Sequence, residues 1–222
     1  MARESPVGKT LPRRGRRGSR PSGDDRELAI LTTAEMLLAE RSFAEISIDD
    51  LAKGAGISRP TFYFYFRSKE AVLLSLLDRV SAEAAGIAKG FVERLPDDPA
   101  TFWREAIGAY FRTFREHQPV AIACAQARVT SAEVSELWSS MMAGWMRYTE
   151  QAIQRERDRG AAPADGVPVS DLVVALHQMN ERAMYATFAD EQPAIAEADI
   201  VDVLLQVWLS AIYRTTTPTG RG

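Results

Sequence analysis

The chain has one cysteine, Cys124, and two histidines, His117 and His177, among 222 residues. A lone cysteine excludes an intramolecular disulfide, and with it the framework of a small secreted domain. These three residues stand in no metal-ligand spacing, so no metal or cofactor is expected. No apolar run approaches the roughly 20 residues of a membrane-spanning helix. The basic N-terminus has no apolar segment behind it and does not read as a signal peptide, so the expected location is cytoplasmic. No stretch alternates with the period of a half-buried strand, and no internal repeat stands out. The patterns GxGxxG, GxxxxGK(S/T) and GxSxG are missing. The nearest approach to a catalytic pair is Glu181 with Tyr185, a spacing that ordinary structural contacts fill equally well. An enzyme is not expected.

The charge that is present is unevenly placed. The formal net charge is −3 and the sequence pI about 5.6, which taken alone argues against nucleic acid. Residues 1–21, however, hold seven Lys or Arg side chains against Glu4 alone, a net of +6, which leaves −9 for the rest. A basic arm on an acidic body points to an anionic polymer held at one end. The bland alternative is a disordered tail that aids solubility. On DNA, the segment containing Arg16 and Arg17 would track phosphates or enter the minor groove.

Ser47 to Lys69 reads SIDDLAKGAGISRPTFYFYFRSK. Ser47 and Asp50 have capping-box spacing and open a helix with Ile48, Leu51 and Ala52 on one face. Gly54-Ala55-Gly56 ends it, because glycine takes positive φ without strain, and Ile57 plugs the turn. Ser58 caps a second helix, with Pro60 in its first turn where no helical hydrogen bond is lost. The pattern is helix-turn-helix.

In the second helix Phe62 and Phe66 should face inward. Arg59, Thr61, Phe64 and Tyr65 are left on or near the outward side, with Tyr63 at its edge. A cation, a hydroxyl and aromatics suit a major groove, where they reach phosphates, base edges and thymine methyls. Lys69 follows Ser68 at the next helix start, where unpaired N–H groups attract phosphate. An aromatic-rich hairpin inside a bundle would share much of this pattern. The order of capped helix, glycine-rich turn, tyrosine-rich short helix, Ser-Lys and long helix favours DNA.

Around this stretch the chain divides into a basic disordered arm (1–21), a helix-turn-helix domain (22–67), a ligand-binding and dimerisation bundle (68–215) and a flexible tail (216–222). Ser22 with Asp25 opens a first helix over about 24–40. A long helix runs from Ser68 towards Phe91, and Leu95 to Pro99 breaks it, with Asp98 as the next cap. Thr130 and Glu133 are expected to cap a helix reaching about residue 159. The last two helices are expected over Ser170 to Ala189 and Ile195 to Tyr213. The fold class is all-α: a three-helix head and a larger bundle of about six helices.

Two bundle helices carry aromatic stripes, Trp103, Ile107, Tyr110 and Phe114 on one, and Trp138, Met142, Trp145 and Thr149 with nearby Tyr148 on the other. Such stripes are usually plain core. Three tryptophans are nevertheless hard to pack without gaps, and indole N–H groups need partners, which favours an aromatic-lined cavity. Asn180 and Glu181 interrupt an apolar helix face that ends in Met184, Tyr185 and Phe188. A buried amide there would orient a ligand; a surface pair is the alternative. The last two helices show more apolar surface than one core needs: Val173, Val174, Leu176, Val203, Leu204, Val207, Trp208, Leu209 and Ile212.

Ala55-Gly56-Ile57-Ser58, Tyr63, Tyr65, Phe66 and Ser68-Lys69-Glu70 match the DNA-binding pattern of the TetR family of bacterial transcriptional regulators, and the chain resembles that family almost throughout after the arm. Arg67 departs where the family often has proline, and adds a phosphate contact; Phe64 departs where many members are polar. The resemblance implies a homodimer through the last two helices and a pseudo-palindromic double-stranded operator. It implies a repressor released by a small apolar effector, possessing no membrane partner, and acting on a neighbouring flavin monooxygenase gene. Ser47, Ser58, Tyr63, Tyr65, Arg67 and Lys69 would hold the DNA backbone, with Arg59, Thr61 and Phe64 at base edges. In a close member of the family the matching positions line a long apolar channel, which assigns Asn180 as polar anchor and brings in Trp208 and His177. His177 stands there for an asparagine, and Tyr110 and Tyr185 for phenylalanines, so the channel here is expected to be more polar. The competing function is a helical carrier of apolar molecules that regulates no DNA, against which the head and arm both count.

Overall fold

The computed structural model describes residues 22–92 and 98–218, and among them every regular element is helical. Arg16, Arg17, the rest of the basic arm, most of the expected break before Pro99 and residues 219–222 lie outside the described residues.

The head comprises α1 (Gly23–Glu40), a 3-10 turn (Phe43–Glu45), α2 (Ile48–Gly54) and α3 (Arg59–Tyr65). Ser22 and Asp25 form a reciprocal capping box at α1, and Ser47 and Asp50 form another at α2. The Ser47 hydroxyl and amide, with a smaller contribution from Arg41, draw the Asp50 carboxyl down from 3.8 to about 2. A depressed folded pKa means that the box is intact above the ordinary carboxylate range and is lost as pH falls through about 2. Ile30, Leu31, Ala34, Ile46, Leu51, Phe62 and Phe66 fill the space between these helices. Gly56 takes φ +67, as the turn requires. Gly54 serves differently from the expectation: a Cβ there would meet Thr33 Cγ2 at 2.3 Å, so this glycine lets α1 and α2 approach.

From the head, α4 (Lys69–Val92) enters a bundle with α5 (Pro99–Glu116), α6 (Gln118–Ala127), α7 (Ala132–Asp158), α8 (Val169–Phe188) and α9 (Ile200–Tyr213). Val72, Leu73, Leu76 and Leu77 of α4 belong to the same apolar core as the head, while α4 also packs on α5, α6 and α7. Head and bundle therefore share one core through α4, and α1 also packs on α6.

Three expectations are corrected. Thr130 does not cap α7: its hydroxyl turns back to the carbonyl of Ala127, and Ser131 accepts the Val134 N–H at 3.3 Å. The last helix begins at Ile200, after Asp199 at the N-cap position, and ahead of it the Ile195 carbonyl accepts the Thr187 hydroxyl of α8 at 2.9 Å. Of the apolar surface assigned to the final two helices, Val173, Leu176, Leu204, Trp208, Leu209 and Ile212 are buried within the protomer. Val174, Val203 and Val207 remain exposed, at 40, 42 and 41%.

Candidate functional site

The outward face of α3 follows from its inward one. With Phe62 and its C-cap Phe66 buried, the opposite side leaves Phe64 84% exposed and Tyr63 nearly half exposed. Tyr65 packs partly on the core and meets the Phe64 ring edge-on at 5.4 Å. Arg59 lies 3.1 Å from Asp49 and donates to the Tyr63 hydroxyl at 3.4 Å, which holds its charge at the start of α3. The Ser58 hydroxyl accepts the Thr61 N–H at 3.3 Å and lies 2.8 Å from the Thr61 hydroxyl. Ser58 is thus engaged as the cap of α3, as Ser47 is of α2.

Two side chains read as phosphate ligands have partners within the protomer. The Lys69 ammonium donates to the carbonyls of Phe43, Ala44 and Ile46 at 2.8, 3.2 and 2.9 Å, and lies 4.7 Å from the centre of the Phe43 ring. Its three donors are all used inside the head. Lys69 fastens α4 to the turn before α2. Arg67 pairs with Glu133 of α7 at 2.5 Å, an exposed contact between head and bundle worth about 0–1 kcal/mol.

Two narrow cavities run through the bundle and share Tyr110 in their walls. One, of about 40 Å³, is lined by Trp103, Ala106, Ile107, Tyr110, Trp145, Thr149, His177, Asn180 and Trp208. The other, of about 30 Å³, is lined by Tyr110, Phe114, Ala121, Ile122, Ala125, Trp138, Glu181, Met184, Tyr185 and Phe188. The structure thus gathers almost all the nominated residues. Met142 stands behind Tyr110, whose hydroxyl meets its Sδ at 3.7 Å. Tyr148 is a correction. One position before Thr149, it lies about 100° further round the helix, in a separate groove with Asp78, Ser81 and Arg147.

The indole N–H groups find the partners that burial demands. Trp208 donates to Asn180 Oδ1 at 3.0 Å, and Trp103 to the Tyr213 hydroxyl at 2.9 Å. Tyr213 donates in turn to Glu156 Oε2 at 2.9 Å, and Arg159 holds both oxygens of that carboxylate at 2.8 and 2.7 Å. Trp138 donates to Glu181 at 3.3 Å, and Glu181 pairs with Arg128 at 2.5 Å. Glu181 is therefore held by Arg128 and Trp138, with no hydrogen bond to Tyr185 among the described residues. The Thr149 hydroxyl lies 2.9 Å from His177 Nε2. Burial pushes the His177 imidazole down to about 4, so it is neutral. Burial, with the Glu181 charge as a lesser cause, pushes the Tyr110 phenol up. Burial alone pushes the Cys124 thiol up to about 12, which makes it inert.

Sequence reasoning missed the α6 wall, Ala121, Ile122 and Ala125, because alanines and one isoleucine carry no chemical mark. It also missed Arg128, Glu156 and Tyr213. Their partners lie 53, 57 and 110 positions away in the chain, beyond any periodic signal.

The profile of the family "Bacterial regulatory proteins, tetR family" matches residues 30–76, and that of "Transcriptional regulator EthR, C-terminal domain" matches residues 103–214. The HTH-type transcriptional regulator EthR of Mycobacterium tuberculosis is 56% identical over 205 residues, covering 92% of this chain and 94% of that one. Its counterpart in Mycolicibacterium smegmatis is 52% identical over 207 residues, covering 93% of this chain and 94% of that one. A tetR-family transcriptional regulator from Streptomyces coelicolor shares the fold at a TM-score of 0.68 and 23% identity, over 86% of this chain and 81% of that one. The FadR regulator from Bacillus subtilis, solved with stearoyl-CoA, shares it at a TM-score of 0.67 and 17% identity, over 83% and 97% of the two chains. Head, bundle and sequence agree, and this chain belongs to the TetR family of bacterial transcriptional regulators, where it resembles EthR.

Proposed function

We propose that this regulator is a homodimeric repressor of a pseudo-palindromic operator, released by a small apolar effector in the aromatic cavities. The observation that carries the reading is the double role of Ile122. It lines the outer effector cavity and also a cleft of about 150 Å³ beneath the head, whose walls are Leu38, Arg41 and Phe43 on one side and Gln118, Pro119 and Gln126 of α6 on the other. An occupant that displaces α6 acts directly on the support of α1. It shifts the head only as far as it prefers the displaced arrangement. The exposed Val174, Val203 and Val207 supply an apolar patch for a second copy. The controlled gene is proposed, on resemblance, to be a neighbouring flavin monooxygenase gene.

Fluorescence anisotropy on duplex DNA from upstream of the gene, beside a scrambled duplex and through a salt series, tests the reading. Selective binding with a steep salt slope is expected; equal, weak binding to both duplexes would favour the carrier function. Phe64→Ala should change thermal stability by no more than about 0.5 kcal/mol, because the ring is exposed, while lowering operator affinity roughly tenfold through loss of an apolar base contact. An unchanged affinity would remove Phe64 from the interface. Asn180→Leu should retain operator binding and raise the effector concentration needed for release. Release at wild-type concentration would show that the amide is no anchor.

A further inference from the structure

Resting on the reading of α3 as the base-reading helix, we infer that Asp49 of α2 selects the operator through Arg59. It holds the guanidinium for one guanine edge and penalises every duplex that lacks that guanine. Asp49 and Asp50 open α2 together, yet they have different partners. Asp50 closes the capping box, accepting the Ser47 amide at 2.9 Å and the Ser47 hydroxyl at 2.6 Å, and pairs with Arg41 at 3.3 Å. The box is complete without Asp49. The Asp49 carboxylate instead reaches across the turn, ten positions along the chain, and accepts from Arg59 Nη1 at 3.1 Å.

Arg59 is the first residue of α3 and is held from two sides. Asp49 takes one terminal nitrogen of the guanidinium. The other donates to the Tyr63 hydroxyl at 3.4 Å, with the Tyr63 ring centre 5.9 Å from the guanidinium carbon. Two of the five N–H donors are thereby used, and a guanine takes two of those that remain, at O6 and N7. An arginine without partners would settle on the nearest phosphate in any sequence. Beside a carboxylate it gains less from a phosphate, because the pair is already neutral and the Asp49 charge repels the DNA backbone. The pair is exposed, Arg59 at 54% and Asp49 at 65%, so it adds little to stability. Its effect falls on the choice of DNA: the repulsion is a cost on every duplex, and only the matching guanine offsets it. Asp49 is thus a positioning residue, acting through the fork of Arg59.

The test compares the wild type, Asp49→Asn and Arg59→Ala, as full chains, on the upstream duplex and the scrambled duplex through a salt series. In Asp49→Asn the scrambled duplex should bind roughly tenfold more tightly, with a salt slope steeper by about 1, as Arg59 turns to a phosphate. Affinity for the upstream duplex should stay within about threefold, so selectivity falls. Upstream-duplex guanines are also replaced one at a time by 7-deazaguanine, which lacks N7. The wild type should weaken about fivefold at one position in each half-site, and both variants by less than about twofold there. The melting temperature of Asp49→Asn should stay within about 2 °C of the wild type, because Ser47 and Asp50 keep the cap. Equal tightening on both duplexes would make Asp49 a general repulsive charge. Equal weakening on both, with a lower melting temperature, would make it part of the α2 start. Either result overturns the inference, and a guanine sensitivity lost in Arg59→Ala would still leave Arg59 as a base reader. Wild-type selectivity in Arg59→Ala would overturn the inference together with the base-reading role on which it rests.

Discussion

Lys69→Met should lower the melting temperature by roughly 5–10 °C, the consequence of losing about 2–4 kcal/mol in a chain of this size. The ammonium is bonded to three carbonyls, those of Phe43, Ala44 and Ile46, and methionine keeps the apolar stem while removing every donor. Those carbonyls belong to the turn between α1 and α2, so the loosened element is the support of the helix-turn-helix. Operator affinity should fall with it. The slope of affinity against salt should stay that of the wild type, because no phosphate contact has been removed. A phosphate ligand would behave in the opposite way, with an unchanged melting temperature and a salt slope smaller by about 1. Thermal melts and anisotropy over a salt series separate the two.

Glu156→Ala should destabilise the bundle by about 1–3 kcal/mol, chiefly the cost of leaving the buried Tyr213 hydroxyl without its acceptor, since Arg159 is itself partly exposed. The carboxylate is 1% exposed and takes Arg159 on both oxygens and the Tyr213 hydroxyl on one. Tyr213 in turn accepts the Trp103 indole, so the change travels from α7 through α9 to the wall of the inner cavity. Glu156→Gln should cost less, since an amide oxygen still accepts from Tyr213 while the charge facing Arg159 is gone. Denaturant unfolding measures both. Equal stability of Glu156→Ala and wild type would show that this network contributes nothing to the bundle. Effector binding should weaken in Glu156→Ala as Trp103 loses its fixed orientation, even where the DNA head still folds.

Much of this molecule is written in short-range pattern. Capping boxes at Ser22 and Ser47, the cap at Ser58, proline in the first turn of α3 and glycine at Gly56 act over three or four residues, and each is found where its spacing places it. Phe62 inward and Phe64 outward follow from helical geometry alone. The aromatic stripes of α5 and α7 likewise mark a common lining through their spacing, because residues three and four apart share a helix face.

What the sequence by itself determined is therefore the helical class, the head, the recognition face and the residue types of the cavity, all consequences of local geometry and periodicity. The tertiary structure alone decided how polar groups pair across long chain separations. It gave the Lys69 ammonium three carbonyl partners, set Arg67 against Glu133, and moved Tyr148 out of the lining. It also joined Arg128 to Glu181 and Trp103 through Tyr213 to Glu156. The physical reason is that a long cation or a buried carboxylate takes whichever partner packing brings within about 3 Å, and no periodicity in the chain encodes that distance.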